Sequence, residues 1–182
     1  MKDYERIETS RLVLRRPLVG DASAMFERYA GDSDVTRFVG WPTHRAVADT
    51  LGFVQFSDAE WDRWPGGPYV IVSRVDGRIL GSTGLGFETP DRATTGYVLA
   101  KDSWGQGYAT EALRAMVDLA RRVCVTRLYA LCHTQHRASW RVLEKCDFAC
   151  EGTWRNHAEF PNLTPGVRSD VLCYVRILGP GA

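Results

Sequence analysis

Apolar residues recur along this chain with two periods. From Thr9 to Arg16, Leu12 and Leu14 alternate with Arg11 and Arg15, the two-residue period of a half-buried strand, and Pro17 ends it. Asp21 can cap a helix through Tyr29, on which Ala22, Met25, Phe26 and Tyr29 recur at helical spacing before Gly31. A second helical stretch runs from about Ala46 to Trp61, with Leu51, Val54, Phe53 and Phe56 on it. After the breaker Pro65-Gly66-Gly67-Pro68, the segments Tyr69–Val72, Ile79–Gly86 and Thr95–Ala100 read as strands, with Asp76-Gly77 as a hairpin turn. From Gly105 to Arg122 the stripe Ala109, Ala112, Leu113, Met116, Val117 and Ala120 predicts a long helix. A strand at Arg127–Cys132, a helix at Ala138–Lys145 and a strand at Ser169–Leu178 follow. Pro161 to Gly166 has no regular pattern, and residues 179–182 are expected to fray.

This order predicts a mixed α/β fold, a central sheet with helices on its faces, in one domain over residues 1–182. The strand near Thr95–Ala100, the long helix and the strand near Arg127–Cys132 form a βαβ unit with a ligand site expected at the strand's carboxyl end.

Composition narrows the partners. Lysine and arginine number 23 against 22 acidic residues, so no strong field selects nucleic acid or an anionic membrane. No apolar run approaches the length of a bilayer span, and the polar start at Met1–Ser10 lacks the apolar core of an export signal, so the expectation is a soluble, cytoplasmic protein. The five cysteines, Cys124, Cys132, Cys146, Cys150 and Cys173, are dispersed and odd in number, which suits reduced thiols rather than a disulfide framework. A zinc site would have to recruit Cys132, His133, His136 and Cys146 without paired Cys-x-x-Cys spacing, so no metal is expected.

The chemistry concentrates at Trp104-Gly105-Gln106-Gly107-Tyr108-Ala109, where a strand gives way to the long helix. Two glycines spaced by one residue remove the Cβ atoms that would hold a phosphate off the backbone. The amides of Gln106 to Thr110 then become free donors at the positive end of the helix dipole, able to hold a pyrophosphate without a lysine. The same glycines are also ordinary turn chemistry, so the turn alone leaves both readings open.

With its flanks, Gly96-Tyr97-Val98-Leu99 before it and Ala138-Ser139-Trp140-Arg141-Val142-Leu143-Glu144-Lys145-Cys146-Asp147-Phe148 after it, the turn resembles the GNAT acetyltransferase superfamily. The opening Glu8-Thr9-Ser10-Arg11-Leu12-Val13-Leu14-Arg15 and the closing Glu151-Gly152 and Asp170–Tyr174 resemble its ribosomal-protein alanine or serine N-acetyltransferase branch. The resemblance implies a mostly antiparallel sheet with one splayed parallel strand pair, and acetyl-CoA lying in the splay. Pantetheine would pair with the backbone of Val98, Leu99 and Ala100, the Leu99 amide would polarise the thioester, and residues Trp104 to Thr110 would take the pyrophosphate. The acceptor would be a primary amine, on a protein N-terminus or a small molecule.

Several positions depart from the family's pattern. Trp104 stands where Gln or Arg is usual, His136 where the branch has Asn, and Asp147 where it has Gly, at a position expected to be left-handed. The general-acid tyrosine of many relatives falls at Leu143, which leaves Ser139 as donor to the thiolate or as a plain helix-start serine. Glu159, reached with one inserted residue, matches the branch's base, Glu88 is the rival, and a water relay is a third route. The acidic residue that often precedes Gly96 is absent, with Thr94 and Thr95 in its place. His157 could assist proton transfer or decorate the surface, and Trp41 could line the acceptor pocket or pack under its loop. The alternative to an acetyltransferase is a catalytically weak or inactive acyl-CoA-binding sensor or scaffold, and an exposed strand edge could support a homodimer.

Overall fold

The structure, a computed structural model, describes residues 4–179. Its eight-stranded sheet has the order β1-β2-β3-β4-β5-β6-β8-β7. The strands are β1 (Arg6–Glu8), β2 (Leu12–Arg15), β3 (Pro68–Ser73), β4 (Ile79–Thr89), β5 (Arg92–Leu99), β6 (Arg127–His133), β7 (Ala149–Glu159) and β8 (Arg168–Ile177). Every neighbouring pair is antiparallel except β5 with β6, which is parallel. Of the tail expected to fray, only Gly179 is described, and the rest lies outside the described residues.

Strand alternation sends side chains to two cores. Leu12 and Leu14 of β2 join Ile71, Leu113, Met116 and Leu143 on one face, while Val13 joins Val70, Met25, Tyr29 and Val54 on the other. The first core holds α4 (Tyr108–Arg122) and α5 (Arg137–Glu144), and the second holds α1 (Ala22–Met25) and α3 (Val47–Arg63). Helices therefore cover both faces, as the element order predicts. The apolar stripe of α4 is buried at Ala112, Leu113, Met116, Val117 and Ala120, which anchors the start of that helix beside the end of β5.

Four local expectations need correction. The helix expected over Asp21–Tyr29 is a 3-10 turn at Val19–Asp21, then the short α1, then a π-helical turn at Phe26–Ala30. Asp21 caps no α1 amide; its carboxylate accepts from Leu18 N and from both terminal nitrogens of Arg15, because a charged partner outbids a neutral amide. The first predicted strand is shorter: Thr9 to Arg11 form the turn between β1 and β2, and a further short helix, α2 (Ser33–Thr36), stands before the aromatic loop. The segment Ala149–Glu159, without a strand-like apolar alternation, is the edge strand β7. Asp147 has φ 58°, the left-handed conformation expected there. Among the described residues no helix is long and apolar enough to cross a membrane, Cys132, Cys146 and Cys173 are buried, and Cys124 and Cys150 are exposed.

Candidate active site

The parallel pairing of β5 with β6 covers only Arg92–Thr94 against Arg127–Tyr129. Beyond that point β5 stays with β4 while β6 stays with β8 through His133, so the facing edges of the two strands diverge. Ala100 N donates to Leu80 O, and Val98 pairs with Ser82, which places the even-numbered residues of β5 in the ladder with β4. By alternation Tyr97 and Leu99 turn their backbone N–H and C=O groups into the divergence. The Leu99 carbonyl is taken there by the Trp104 indole N–H at 2.8 Å. Trp104 thus closes the end of β5 onto the following turn with its half-exposed indole.

The turn itself is held from three sides. Asp102 binds Arg28 through both oxygens (2.8 and 2.9 Å) and Arg78 at 3.2 Å, and Gln106 donates its amide to Asp102 O at 2.7 Å. Gly105 and Gly107 have φ 73° and 80°, conformations that glycine adopts without a Cβ penalty. Gly107 caps α4 with no side chain to offer, and Glu111 N is the first amide to find a helical carbonyl, Gly107 O at 3.1 Å. The Tyr108, Ala109 and Thr110 amides are left at the helix start with no intrahelical acceptor.

The third support comes from the β1–β2 turn. One Glu111 carboxylate accepts from Thr9 Oγ1 (2.6 Å), Ser10 Oγ (2.9 Å), Arg11 N (2.8 Å) and Arg11 Nε (2.7 Å). The Arg11 guanidinium then donates to Gln106 O at 2.9 Å and lies 4.6 Å from the centre of the Tyr108 ring. Partial burial acts to raise the Glu111 pKa, but the hydrogen bonds from Thr9, Arg11 and Ser10 outweigh it and hold the carboxyl at about 2. Arg11 and Glu111 are absent from the sequence-derived site. The legible signals were an acidic residue in the first turn of the long helix and the basic residue in the Thr9–Leu12 segment.

Across the divergence, at the start of α5, the Tyr97 hydroxyl donates to Ser139 O at 2.7 Å and stands 3.2 Å from Ser139 Oγ. Burial pushes the Tyr97 pKa up, partly offset by the Ser139 bond, so the phenol stays protonated. Burial also raises the Cys132 thiol, with Ser139 partly opposing it. Leu143, at the position of the relatives' tyrosine, is buried in the core.

Residues 11–149 match the family described as the acetyltransferase (GNAT) domain. The chain belongs to the GNAT acetyltransferase family. Two curated relatives are the uncharacterized N-acetyltransferase YoaA of Bacillus subtilis, 28% identical over 162 residues (87% of this chain, 90% of the relative), and the uncharacterized N-acetyltransferase p20 of Bacillus licheniformis, 26% identical over 157 residues (84% and 87%). Among solved structures, a GNAT-family acetyltransferase from Bacillus anthracis superposes with a TM-score of 0.82 at 22% identity (94% of this chain, 98% of that one). RimL, a ribosomal L7/L12 alpha-N-protein acetyltransferase in complex with coenzyme A, does so with 0.83 at 24% identity (96% and 98%). This GNAT enzyme is therefore an N-acetyltransferase with that fold.

On the α1 and α3 side of the sheet, this GNAT chain separates the two carboxylates singled out as bases. Glu88 lies at the far end of β4, where it accepts from the Tyr129 hydroxyl and pairs with Arg92 Nε at 2.8 Å. Leu99 is seven residues further along β5 than Arg92, about 23 Å at the strand rise. Glu88 is thus not brought together with Leu99 and Ser139. Its neighbours continue through Tyr129 to Trp154 (6.1 Å between rings) and from Trp154 to His157 (4.7 Å), so a run of ring contacts leads from Glu88 toward His157. Glu159 lies at the other end of the sheet, accepting from Gly166 N at 2.8 Å, and the next residue, Phe160, packs edge-on against His133 at 4.8 Å.

His133 and His136 meet at the carboxyl end of β6 beneath Phe38, which stacks on His136 at 4.7 Å and lies 5.2 Å from His133. Burial lowers both imidazole pKa values, reinforced by His133 for His136 and by Arg37 for His133. Of the residues a zinc site would need, Cys132 turns its thiol to the carbonyls of His133 and His136, and no group of three or more potential ligands is gathered among the described residues.

Trp41 packs against His44 at 5.0 Å and hangs from Asn162, a residue absent from the sequence-derived site. Asn162 donates to Trp41 O (2.9 Å) and Thr36 O (2.7 Å) and accepts from Thr43 N (2.8 Å), tying the loop after β7 to the aromatic loop. Asn162→Ala strips these half-buried groups of their partner, so a loss of about 1–3 kcal/mol is expected. Thermal unfolding should show a Tm lower by about 2–10 °C. An unchanged Tm would show that the clamp contributes nothing.

Proposed function

We propose that this chain transfers acetyl from acetyl-CoA to a primary amine by direct attack within a ternary complex. The observation that carries the reading is the divergence of β5 from β6, which runs without a break into the two-glycine turn at the start of α4. The residues fit the co-substrate: amides of Tyr108 to Thr110 without intrahelical acceptors suit a pyrophosphate, and backbone groups of Tyr97 and Leu99 suit pantetheine and the thioester carbonyl. The thioester supplies the activated acyl group. His136, at the start of α5 three residues before Ser139, would contact the co-substrate.

As the C–N bond forms and the C–S bond breaks, one proton must leave the amine and one must reach sulfur. The amide of Leu99 stabilises charge developing on the carbonyl oxygen. Ser139 Oγ, with the Tyr97 phenol behind it, gives the proton to sulfur. Glu159 takes the amine proton through water, favoured over Glu88 by its place at the splayed end of the sheet. The acceptor approaches from the α1 and α3 side, where Gly96 is exposed and its position meets no atom within 4 Å, with Trp41, Glu88 and His157 as the candidate residues to line its path. RimL's description as a ribosomal-protein enzyme supports a protein N-terminus as acceptor, with small amines the other class to be screened.

The absence of a tyrosine at Leu143 favours a second reading, an acyl-CoA-binding module without turnover. Two measurements separate them. Coenzyme A should raise the Tm, and a panel of N-terminal peptides and small amines should give amine-dependent release of free thiol, with kcat lowered about 10- to 100-fold in Ser139→Ala. No Tm shift at millimolar coenzyme A would sink both readings, and a shift without turnover on any amine would leave the binding module.

A further inference from the structure

At the carboxyl end of β6, where Ser139 and Glu159 would exchange protons with the reacting groups, the charges are one-sided. Phe38 stands in the middle: it stacks on His136 at 4.7 Å, lies 5.2 Å from His133, and carries the Arg37 guanidinium over its ring at 5.2 Å. His136 precedes the first residue of α5, three residues before Ser139, and His133 meets Phe160, the neighbour of Glu159, at 4.8 Å. The Phe38 cluster therefore links the surroundings of the two proposed proton-transfer groups, and Arg37 stands on it. Burial first and the Arg37 charge second lower the His133 pKa, so the guanidinium is within electrostatic reach of a ring only 8% exposed.

Two more arginines border the same end of the sheet. Arg137 is the first residue of α5, and Arg168 is paired with Glu159 in the β7–β8 ladder while donating to His157 O at 2.9 Å. Among the described residues none of Arg37, Arg137 and Arg168 forms an ion pair with a carboxylate, and all three are exposed. The acids on these elements are engaged elsewhere. Asp32 caps α2 by accepting from Asp34 N and Val35 N, Asp34 holds Lys101 at 2.5 Å, and Glu159 accepts from Gly166 N. Both histidines have pKa values pushed below the ordinary imidazole value, so they add no charge at neutral pH.

A mouth with unpaired cations favours an anionic partner and disfavours a cationic one. It also favours the neutral form of the incoming amine, because like charges disfavour the ammonium. We propose that Arg37 is a specificity-determining residue that selects N-terminal segments carrying an aspartate or glutamate next to the reacting residue, with Arg137 and Arg168 adding to the same field. The proposal rests on the transferase reading above and names which acceptors that reaction takes. The second residue of an extended segment trails the first by about 3.5 Å of chain, so its side chain passes the rim of the mouth as the amine reaches the splay.

The test follows thiol release from acetyl-CoA with a set of free-amine peptide amides, headed by Ala or Ser, with Glu, Gln or Arg second and a common neutral tail. The wild type should show a kcat/KM about tenfold higher for the Glu than for the Arg peptides, with Gln between, and the ratio should shrink as salt is raised. Arg37→Ala should cut the ratio to about threefold, and Arg37→Glu should invert it to favour the Arg peptides. Thermal unfolding and coenzyme A titration of each variant check that the fold and the co-substrate site are intact, and Arg37→Ala keeps the test decisive where the charge reversal unfolds the chain. A ratio near one in the wild type, a wild-type preference for Arg, or a ratio unmoved in both variants would overturn the assignment to Arg37 while leaving the transferase reading intact. Coenzyme A binding without thiol release from any peptide would overturn the peptide acceptor, and the selection by Arg37 with it.

Discussion

Gly107→Val is expected to raise the KM for acetyl-CoA by about 100-fold, a loss of about 2.7 kcal/mol in binding, while the chain still folds. Gly107 has φ 80°, where an L-residue costs about 1–2 kcal/mol and a β-branched one more. The protein itself leaves room: a Cβ there meets only Arg11 Nη2, at 3.5 Å, which is ordinary contact. The damage therefore falls on the ligand, because a valine side chain occupies the space through which a phosphate reaches the amides of Tyr108 to Thr110. Gly77→Val separates strain from obstruction. Gly77 has φ 70° in the β3–β4 hairpin, and a Cβ added there would meet no atom within 4 Å, so its variant should lose a similar amount of Tm with an unchanged KM. Steady-state kinetics with acetyl-CoA varied at a fixed amine concentration decides the matter. A wild-type KM in Gly107→Val would remove the turn from the binding site.

The features this prediction uses were readable in the sequence because each is local. The stripe from Ala112 to Ala120 has a helical period, the paired glycines stand at its entry, and the hairpin carries Asp76-Gly77; short-range rules fix all three. The divergence of β5 from β6 was legible only through family resemblance, since it depends on where a nonlocal pairing stops.

The edge strand β7 shows why another part was not legible. A strand on the rim of a sheet buries little, so Cys150, Glu151, Thr153, Arg155 and His157 carry no apolar alternation. Its register also shifts between Cys150 and Gly152 and between Trp154 and Ala158, with Asn156 at φ 49° inside the second irregularity, which breaks the two-residue period itself. Glu88 was legible in part. Its nearness to the end of β4 was readable, but its engagement by Tyr129 and Arg92 depends on β6 lying beside β5, and no spacing in the chain announces that. The same holds for Asn162 and for Arg11, whose partners lie about a hundred residues away in the chain; the Arg11 to Glu111 separation is 100. A polar residue that acts through a distant partner looks in sequence like any surface polar residue.

Arg11 and Glu111 therefore carry the second large expected effect, one that depends on pH. Glu111→Gln keeps the shape of the side chain but removes the charge that organises four donors from Thr9, Ser10 and Arg11. Hydrogen bonds to a charged group are worth about 1.5–3 kcal/mol against about 1 for neutral ones, so a stability loss of about 2–3 kcal/mol is expected at neutral pH. That corresponds to a Tm lower by about 4–10 °C. Because the folded pKa of Glu111, about 2, lies below its ordinary value of 4.5, folding favours the ionised form. The stabilisation is then complete above about pH 4.5 and is lost as pH falls toward 2. The Tm gap between wild type and Glu111→Gln should accordingly stay constant from pH 8 to 5 and close between 4.5 and 2. The loss should reach the site as well. Without its carboxylate partner, Arg11 no longer fixes the Gln106 carbonyl, and the KM for acetyl-CoA should rise about tenfold, about 1.4 kcal/mol, with little change in kcat. A gap that persists unchanged down to pH 2.5 would show that charge on Glu111 does not hold the clasp. A KM equal to that of wild type would show that the clasp stabilises the fold without setting the turn.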